Sequence, residues 1–284
     1  LAAEIVRDNG TAEPRNDRGF GKNLWIRDHR PPTAPMDLLS RQGLRTDGRR
    51  SDELRRISCK MGVFNQPDGS AYLEQGNTKV LAAVYGPHEI RVNRSKAPND
   101  CAVINCQYSM ATFSRSERKR RPRDNKSAEL TVHLKQAMTT AIKTDLYPKS
   151  QIDIFVEVLQ SDGGNYSVCV NAATLALIDA GIAMEEFVIS CTSSLANGEV
   201  PLVDISHLEE TLGGPSITVA ILPISGKIAM LETSQRMHIN HVEPVLTEAM
   251  RGCRYIYDTL NKTIKKHYEE IGGALNWGTE EYNI

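Results

Sequence analysis

The stretch from Ile152 to Gly181 constrains the fold of this chain more than any other. Alternation puts Ile152, Ile154, Val156 and Val158 on one face, as in a strand buried on one side. The strand runs into Asp162-Gly163-Gly164, after which Val168 to Ala180 is apolar nearly all round and closes at Gly181. A helix with no polar face has to be covered on every side, and glycine suits its C-terminus. The chain is therefore committed to a core with this helix inside it and a sheet against it.

The flanking segments supply the cover. Ile57 to Phe64, Ala71 to Leu73 and Val80 to Tyr85 are short β-type runs separated by Pro67-Asp68-Gly69 and Gln75-Gly76-Asn77, which reads as an antiparallel meander. A further run spans Val103 to Phe113. Leu130, Leu134, Ala137, Met138, Ala141 and Ile142 then recur at helical spacing, with Ser127 as the expected cap. A second β-rich stretch, Phe187 to Thr233, precedes a last helix whose apolar stripe runs from Val242 to Ile264. Strands followed by helices, twice over, describe an α+β or α/β sandwich. Leu1 to Pro35 lacks any apolar period and ends in Arg30-Pro31-Pro32-Thr33-Ala34-Pro35. It is expected to be a disordered tail, with Met36 the expected start of the natural product.

Composition excludes several classes. No apolar run reaches the roughly 18 residues of a membrane helix, and no signal-peptide pattern is present, so a membrane partner is not expected and the cytosol or nucleus is. The six cysteines include no CxxC pair, and the seven histidines show no HxxxH spacing. They read as reduced thiols and structural or surface imidazoles, and no metal site is expected. Lys and Arg total 34 against 35 Asp and Glu, so attraction for nucleic acid has to come from local clustering.

One cluster meets that requirement. Arg115, Arg118, Lys119, Arg120, Arg121, Arg123 and Lys126 are opposed only by Glu117 and Asp124. Phosphate contacts from such a loop give sequence-independent affinity for nucleic acid; the same run also fits a solvated loop or a nuclear-import signal. No aromatic side chain lies within it to stack a base. Two further groups bear on chemistry. Asp162-Gly163-Gly164-Asn165 is placed to let backbone amides approach an anion or simply to make a tight turn. Asp204, Glu209 and Glu210 bracket a turn and could ligate Mg2+ or protonate a leaving alkoxide.

Taken together, Gly43 to Arg50, Gly69 to Thr78, Tyr85-Gly86-Pro87, Ile152-Asp153-Ile154, Asn171-Ala172-Ala173 and Asp179 to Ile182 resemble the RNase PH family, and within it the ring subunits of the eukaryotic RNA exosome. The likeness runs from about Met36 to Tyr268. It implies the α+β RNase PH fold, a ribosomal protein S-five domain-like β-α-β-α core with mixed sheets packed with helices. Its domains would fall at 36–185 and 186–272, with a flexible tail over 273–284. It also implies single-stranded RNA as a partner, a six-membered ring of related subunits, cap RNA-binding subunits and a separate hydrolytic nuclease. The setting implied is 3′-to-5′ RNA processing and degradation, including rRNA processing and mRNA decay, in nucleus, nucleolus and cytoplasm.

In active relatives inorganic phosphate attacks the last 3′ phosphodiester. Their phosphate cradle reads Gly, Ser or Thr, then Arg, with a paired basic motif before the preceding helix. The resemblance places Gly164, Asn165 and Tyr166 at the cradle and Asn125-Lys126 at the basic pair, so only Gly164 and Lys126 match. Each charge-assisted bond to phosphate is worth roughly 1.5–3 kcal/mol, so losing two costs on the order of two to four decades in rate. The catalytic acids carried over are Asp204 and, six residues on, Glu210 where the active pattern has Asp. The expectation is a degenerate site that holds RNA without cutting it and requires no cofactor. The alternative is an active phosphate-dependent exoribonuclease using Asp204, Glu210 and Lys126, with Mg2+ and inorganic phosphate.

Overall fold

The computed structural model describes residues 38–40, 42–90, 100–115, 118, 125–196 and 200–274. The expected N-terminal tail and most of the basic loop lie outside them. Five strands form the first sheet: β1 (Ile57–Met61), β2 (Gly69–Gln75), β3 (Thr78–Glu89), β4 (Val103–Met110) and β5 (Ser150–Gln160), in the order β1-β2-β3-β5-β4. The first three make the expected antiparallel meander, with Ala71 opposite Ala82 and Leu73 opposite Val80. β4 and β5 pair in parallel. A parallel pair needs a crossover, and α1 (Asn125–Ala141) supplies it.

α1 begins two residues before Ser127, which lies within its first turn instead of capping it. The Ser127 carbonyl is engaged by the Thr131 hydroxyl at 2.8 Å. Ser at this position loses the advantage it has at an N-cap, where a free amide is available to its hydroxyl.

α2 (Asn165–Asp179) is the all-apolar helix. It packs on β2, β3 and β5 on one side and on β6 (Ile189–Ala196) and β8 (Ser216–Leu222) on the other. Val168, Cys169, Val170, Ala172, Ala173, Leu175, Ala176 and Leu177 are all fully buried. The second sheet is antiparallel, in the order β7-β6-β8-β9, with β7 at Val200–Val203 and β9 at Lys227–Thr233. α3 (His207–Leu212) links β7 to β8, and α4 (Ile239–Ala274) covers β6 and β8 from outside. α4 extends through the expected tail boundary at 273. One continuous hydrophobic cluster joins both sheets, α1, α2 and α4, so the expected 185/186 boundary divides halves that share a core. All six cysteines are free, and Cys169, Cys191 and Cys253 are buried in it.

The contact between α2 and the first sheet is set by a missing side chain. A Cβ on Gly69 would stand 2.3 Å from the Ala176 carbonyl oxygen and 2.4 Å from the Ala180 amide. Backbone cannot yield as a flexible side chain can, so Gly69→Ala has to push the helix off the sheet. Thermal unfolding should show a loss of about 1–3 kcal/mol or more, whereas Gly226→Ala, which meets nothing within 4 Å but adopts a φ of +69°, should cost only about 1 kcal/mol.

Candidate functional site

Three arginines of the segment before β1 converge on the turn between β7 and α3. Asp204 is 1% exposed, and its carboxylate accepts bonds from the Arg55 amide at 2.8 Å, Nε at 3.0 Å and Nη2 at 2.7 Å. Its backbone sits at a φ of +53°, a conformation costly for a side-chain-bearing residue unless its surroundings enforce it. The enforcing contacts are visible: Arg45 and Arg49 both donate to its carbonyl, at 3.0 and 3.2 Å. Beside it Glu209 is fully buried and takes two bonds from Arg45, from Nε at 2.7 Å and from Nη2, while also closing a capping box with Ser206 at the start of α3.

Burial alone would push both carboxyls up. For Asp204 the charge and hydrogen bonds of Arg55 outweigh it; for Glu209 the Arg45 bonds and the Ser206 amide do so. Both are held below the ordinary carboxylate range and are ionised.

The same Arg55 guanidinium continues into the turn between β5 and α2. It donates to the Asp162 carbonyl at 2.8 Å, the Gly163 carbonyl at 3.3 Å and the Thr78 hydroxyl at 3.2 Å. Gly163 is indispensable here. Its φ is +81°, and a Cβ would lie 2.4 Å from the Ser206 carbonyl carbon, where the His207 amide bonds to the Asp162 carbonyl at 3.1 Å. Gly164 follows at a φ of +58° as the N-cap of α2, and Asn165 and Tyr166 open the first turn.

That turn opens into a cleft of about 770 Å³. Arg115, Asn125, Lys126, Gly164, Asn165, Tyr166 and Glu210 all line it, as do Thr192, Ser216, Thr218, Glu232 and Ser234. Arg115 follows the end of β4 and Lys126 stands at the start of α1, and both are exposed. Arg118 is exposed as well. Lys119, Arg120, Arg121 and Arg123 lie outside the described residues. Tyr166 is 6% exposed, its ring set edge-on to His133 with centroids 6.5 Å apart. Burial, followed by the charge of Glu232, pushes its phenol well above the ordinary range, so it offers a neutral hydroxyl to the cleft.

The two expected acids are not brought together. Glu210 faces the cleft, but neither Asp204 nor Arg55 lines it; a carboxylate held ionised by three bonds beneath the turn has no proton to give a leaving group. Among the described residues no group of three or more His, Cys, Asp or Glu side chains is placed to hold a metal ion. Three features escaped the sequence reading: the arginine anchor, the hydroxyl-lined wall of the second sheet, and Phe113. The last is 60% exposed one residue before Ser114, beside the cationic rim. Its proximity to Arg115 was a legible signal, obscured by counting it as the end of a strand.

This fold, with a cleft at the N-terminus of the central helix, is the architecture of a 3′ exoribonuclease of the RNase PH type, and the chain belongs to that family. Residues 53–183 match the 3′ exoribonuclease family, domain 1, and residues 186–252 match domain 2. Within the family it is similar to the exosome complex component RRP41. Identity is 55% over 243 residues with the Bos taurus protein, covering 85% of this chain and 99% of that one. The Arabidopsis thaliana RRP41 homolog is 43% identical over 236 residues, 83% of this chain and 98% of the relative. Two solved structures share the fold: rice Rrp46, with TM-score 0.69 and 22% identity over 78% of this chain and all of that one, and the Archaeoglobus fulgidus exosome with RNA bound to the active site, with TM-score 0.67 and 20% identity over 78% and 94%. The resemblance read from the sequence motifs is borne out.

Asp204→Asn should leave Arg55 buried without its counter-charge and lower the unfolding free energy by about 3–5 kcal/mol in denaturant titration. Because the folded carboxyl is depressed, its contribution is present above the unfolded value of about 3.9 and is lost as pH falls below it. Stability measured against pH should fall on the acid side in the natural protein and fall less steeply in Asp204→Asn.

Proposed function

We propose that this chain is a ring subunit of an RNA exosome that holds and guides single-stranded RNA for 3′-to-5′ processing and degradation without performing phosphorolysis itself. The observation that carries this reading is the division of charge in the cleft. Arg115 and Lys126 keep a cationic rim, which binds backbone phosphates whatever the sequence. The cradle behind them offers Asn165 and a neutral Tyr166, and Asp204 is consumed by Arg55. Phosphoryl transfer depends on groups that stabilise developing charge, and the cleft has lost them while keeping those that hold a strand. Phe113 adds a ring on which a base can stack.

Exposed apolar side chains, among them Phe155 on the uncovered face of the first sheet and Ile228 and Leu231 on β9, fit a subunit that is covered by neighbours. The proposed neighbours are related ring subunits, cap RNA-binding subunits and a separate hydrolytic nuclease, in nucleus, nucleolus and cytoplasm. The active alternative rests on Glu210 and Lys126 sharing the cleft.

The assembled ring, incubated with labelled RNA over a range of phosphate concentrations, should release no nucleoside diphosphate; phosphate-dependent release abolished by Glu210→Gln would establish the active alternative instead. In equilibrium binding, Arg115→Glu with Lys126→Glu should weaken RNA uniformly across sequences and reduce the salt slope by roughly 0.7 for each phosphate no longer neutralised. Phe113→Ala should cost about 1–3 kcal/mol of RNA affinity with the salt slope unchanged.

A further inference from the structure

Beside the cleft, α1 of the first half of the chain meets β9 of the second, and one pair of side chains there has no part in the reading so far. His133 Nδ1 on α1 and Glu232 Oε2 on β9 are 3.5 Å apart. That is ion-pair range, yet the Nδ1 atom is buried and makes no hydrogen bond among the described residues. A buried polar group left unpaired costs free energy. Both partners are held in place. The His133 ring stands edge-on to Tyr166 of α2. Glu232 ends a polar row across the second sheet, opposite Thr218 of β8, which is in turn opposite Thr192 of β6. The two threonine hydroxyls are 3.1 Å apart, and all three residues of the row line the cleft.

We infer that His133 and Glu232 form a proton-operated clasp: protonation of the imidazole draws it onto the carboxylate, ties α1 to β9, and cancels the negative charge that Glu232 turns into the cleft. The inference rests on the RNA-holding reading above and gives that site a regulation. Glu232 is the counter-charge that decides, because the other ionisable groups of the elements packed against α1 are neutral or distant. β4 brings Cys106 and Tyr108, and α2 brings Tyr166 and Cys169; burial before all else pushes the four of them up, Cys106 to about 12, so they carry no charge. Lys227 stands at the far end of β9 and Asp179 at the far end of α2, where Asp179 accepts the Gly62 and Ser70 amides. On α1 itself Lys126, Glu129 and Lys135 are exposed, and among the described residues the ion pair of His133 is with Glu232. Imidazoles change charge between about pH 5 and 8. Above that range Glu232 repels the phosphates that Arg115 and Lys126 attract; within it the clasp closes and the repulsion fades. RNA is therefore held more tightly as the pH falls.

The test measures binding of a short oligouridylate, whose bases do not titrate in this range, to the assembled ring at about pH 8 and about pH 6 with the ionic strength fixed. The natural ring should bind about threefold more tightly at the lower pH, the size expected of one partly exposed charge pair. His133→Gln should show the weaker affinity at both pH values, and Glu232→Gln the tighter one at both. An unchanged affinity in the natural ring, or a tightening that survives in His133→Gln, overturns the clasp. Failure to bind at either pH overturns the RNA-holding reading instead, and the clasp is then judged by NMR of the full chain. There the His133 imidazole should lose its proton at a lower pH in Glu232→Gln than in the natural protein. Indifference of that resonance to the substitution overturns the clasp whatever the RNA does.

Discussion

The ion pair between Arg55 and Asp204 is the contact on which the rest of the cleft depends. One guanidinium neutralises the buried carboxylate and also holds the carbonyls of Asp162 and Gly163. The segment before β1, the loop after β7 and the turn before α2 are thereby fixed to one another, although they lie far apart in the sequence. A buried pair gains little stability over a well-packed apolar substitute, because desolvation offsets its attraction, yet removing one partner is expensive. Its value here is positional. It orients Gly164, Asn165 and Tyr166 at the mouth of the cleft, and Arg45 and Arg49 reinforce it through the Asp204 backbone. The acid at position 204 is thus accounted for by architecture.

The central helix is shared in the same way. α2 has apolar residues on every side because it is the layer between the two sheets, and its first turn opens into the cleft. Gly69 allows the approach of the first sheet and Gly163 the approach of the loop before α3. The cleft therefore draws its lining from both halves: β4, α1 and the helix turn from one, β6, β8, β9 and α3 from the other. A charge placed on any of these elements is felt by whatever occupies the cleft, and the buried phenol at position 166 brings none.

Much of this was legible in the sequence because it depends on local pattern. The period of β5, the all-apolar α2 and the Gly-rich turn between them were readable from neighbouring residues, and so was the meander of β1 to β3. The start of α1 was misplaced at Ser127, since a serine near a helix start looks the same whether it caps the helix or lies within it. The site was only half legible. Clustering revealed Arg115 and Lys126, and motif resemblance located Asn165, Tyr166 and Glu210. What could not be read were the partners separated by a hundred residues or more: Arg55 with Asp204, Arg45 with Glu209. The row Glu232-Thr218-Thr192 was equally hidden, because its members become neighbours only through strand register.

The central claim about this cleft is that Asp204 is an ionised anchor and not a titrating acid. Its side-chain carboxyl carbon can be followed by NMR in the natural protein, with the signal assigned by its disappearance in Asp204→Asn. The expected result is a resonance that stays flat from about pH 8 down through pH 5 and moves only below the ordinary aspartate value of about 3.9. A midpoint in the neutral range, as a proton donor to a leaving oxygen would need, would contradict the anchor.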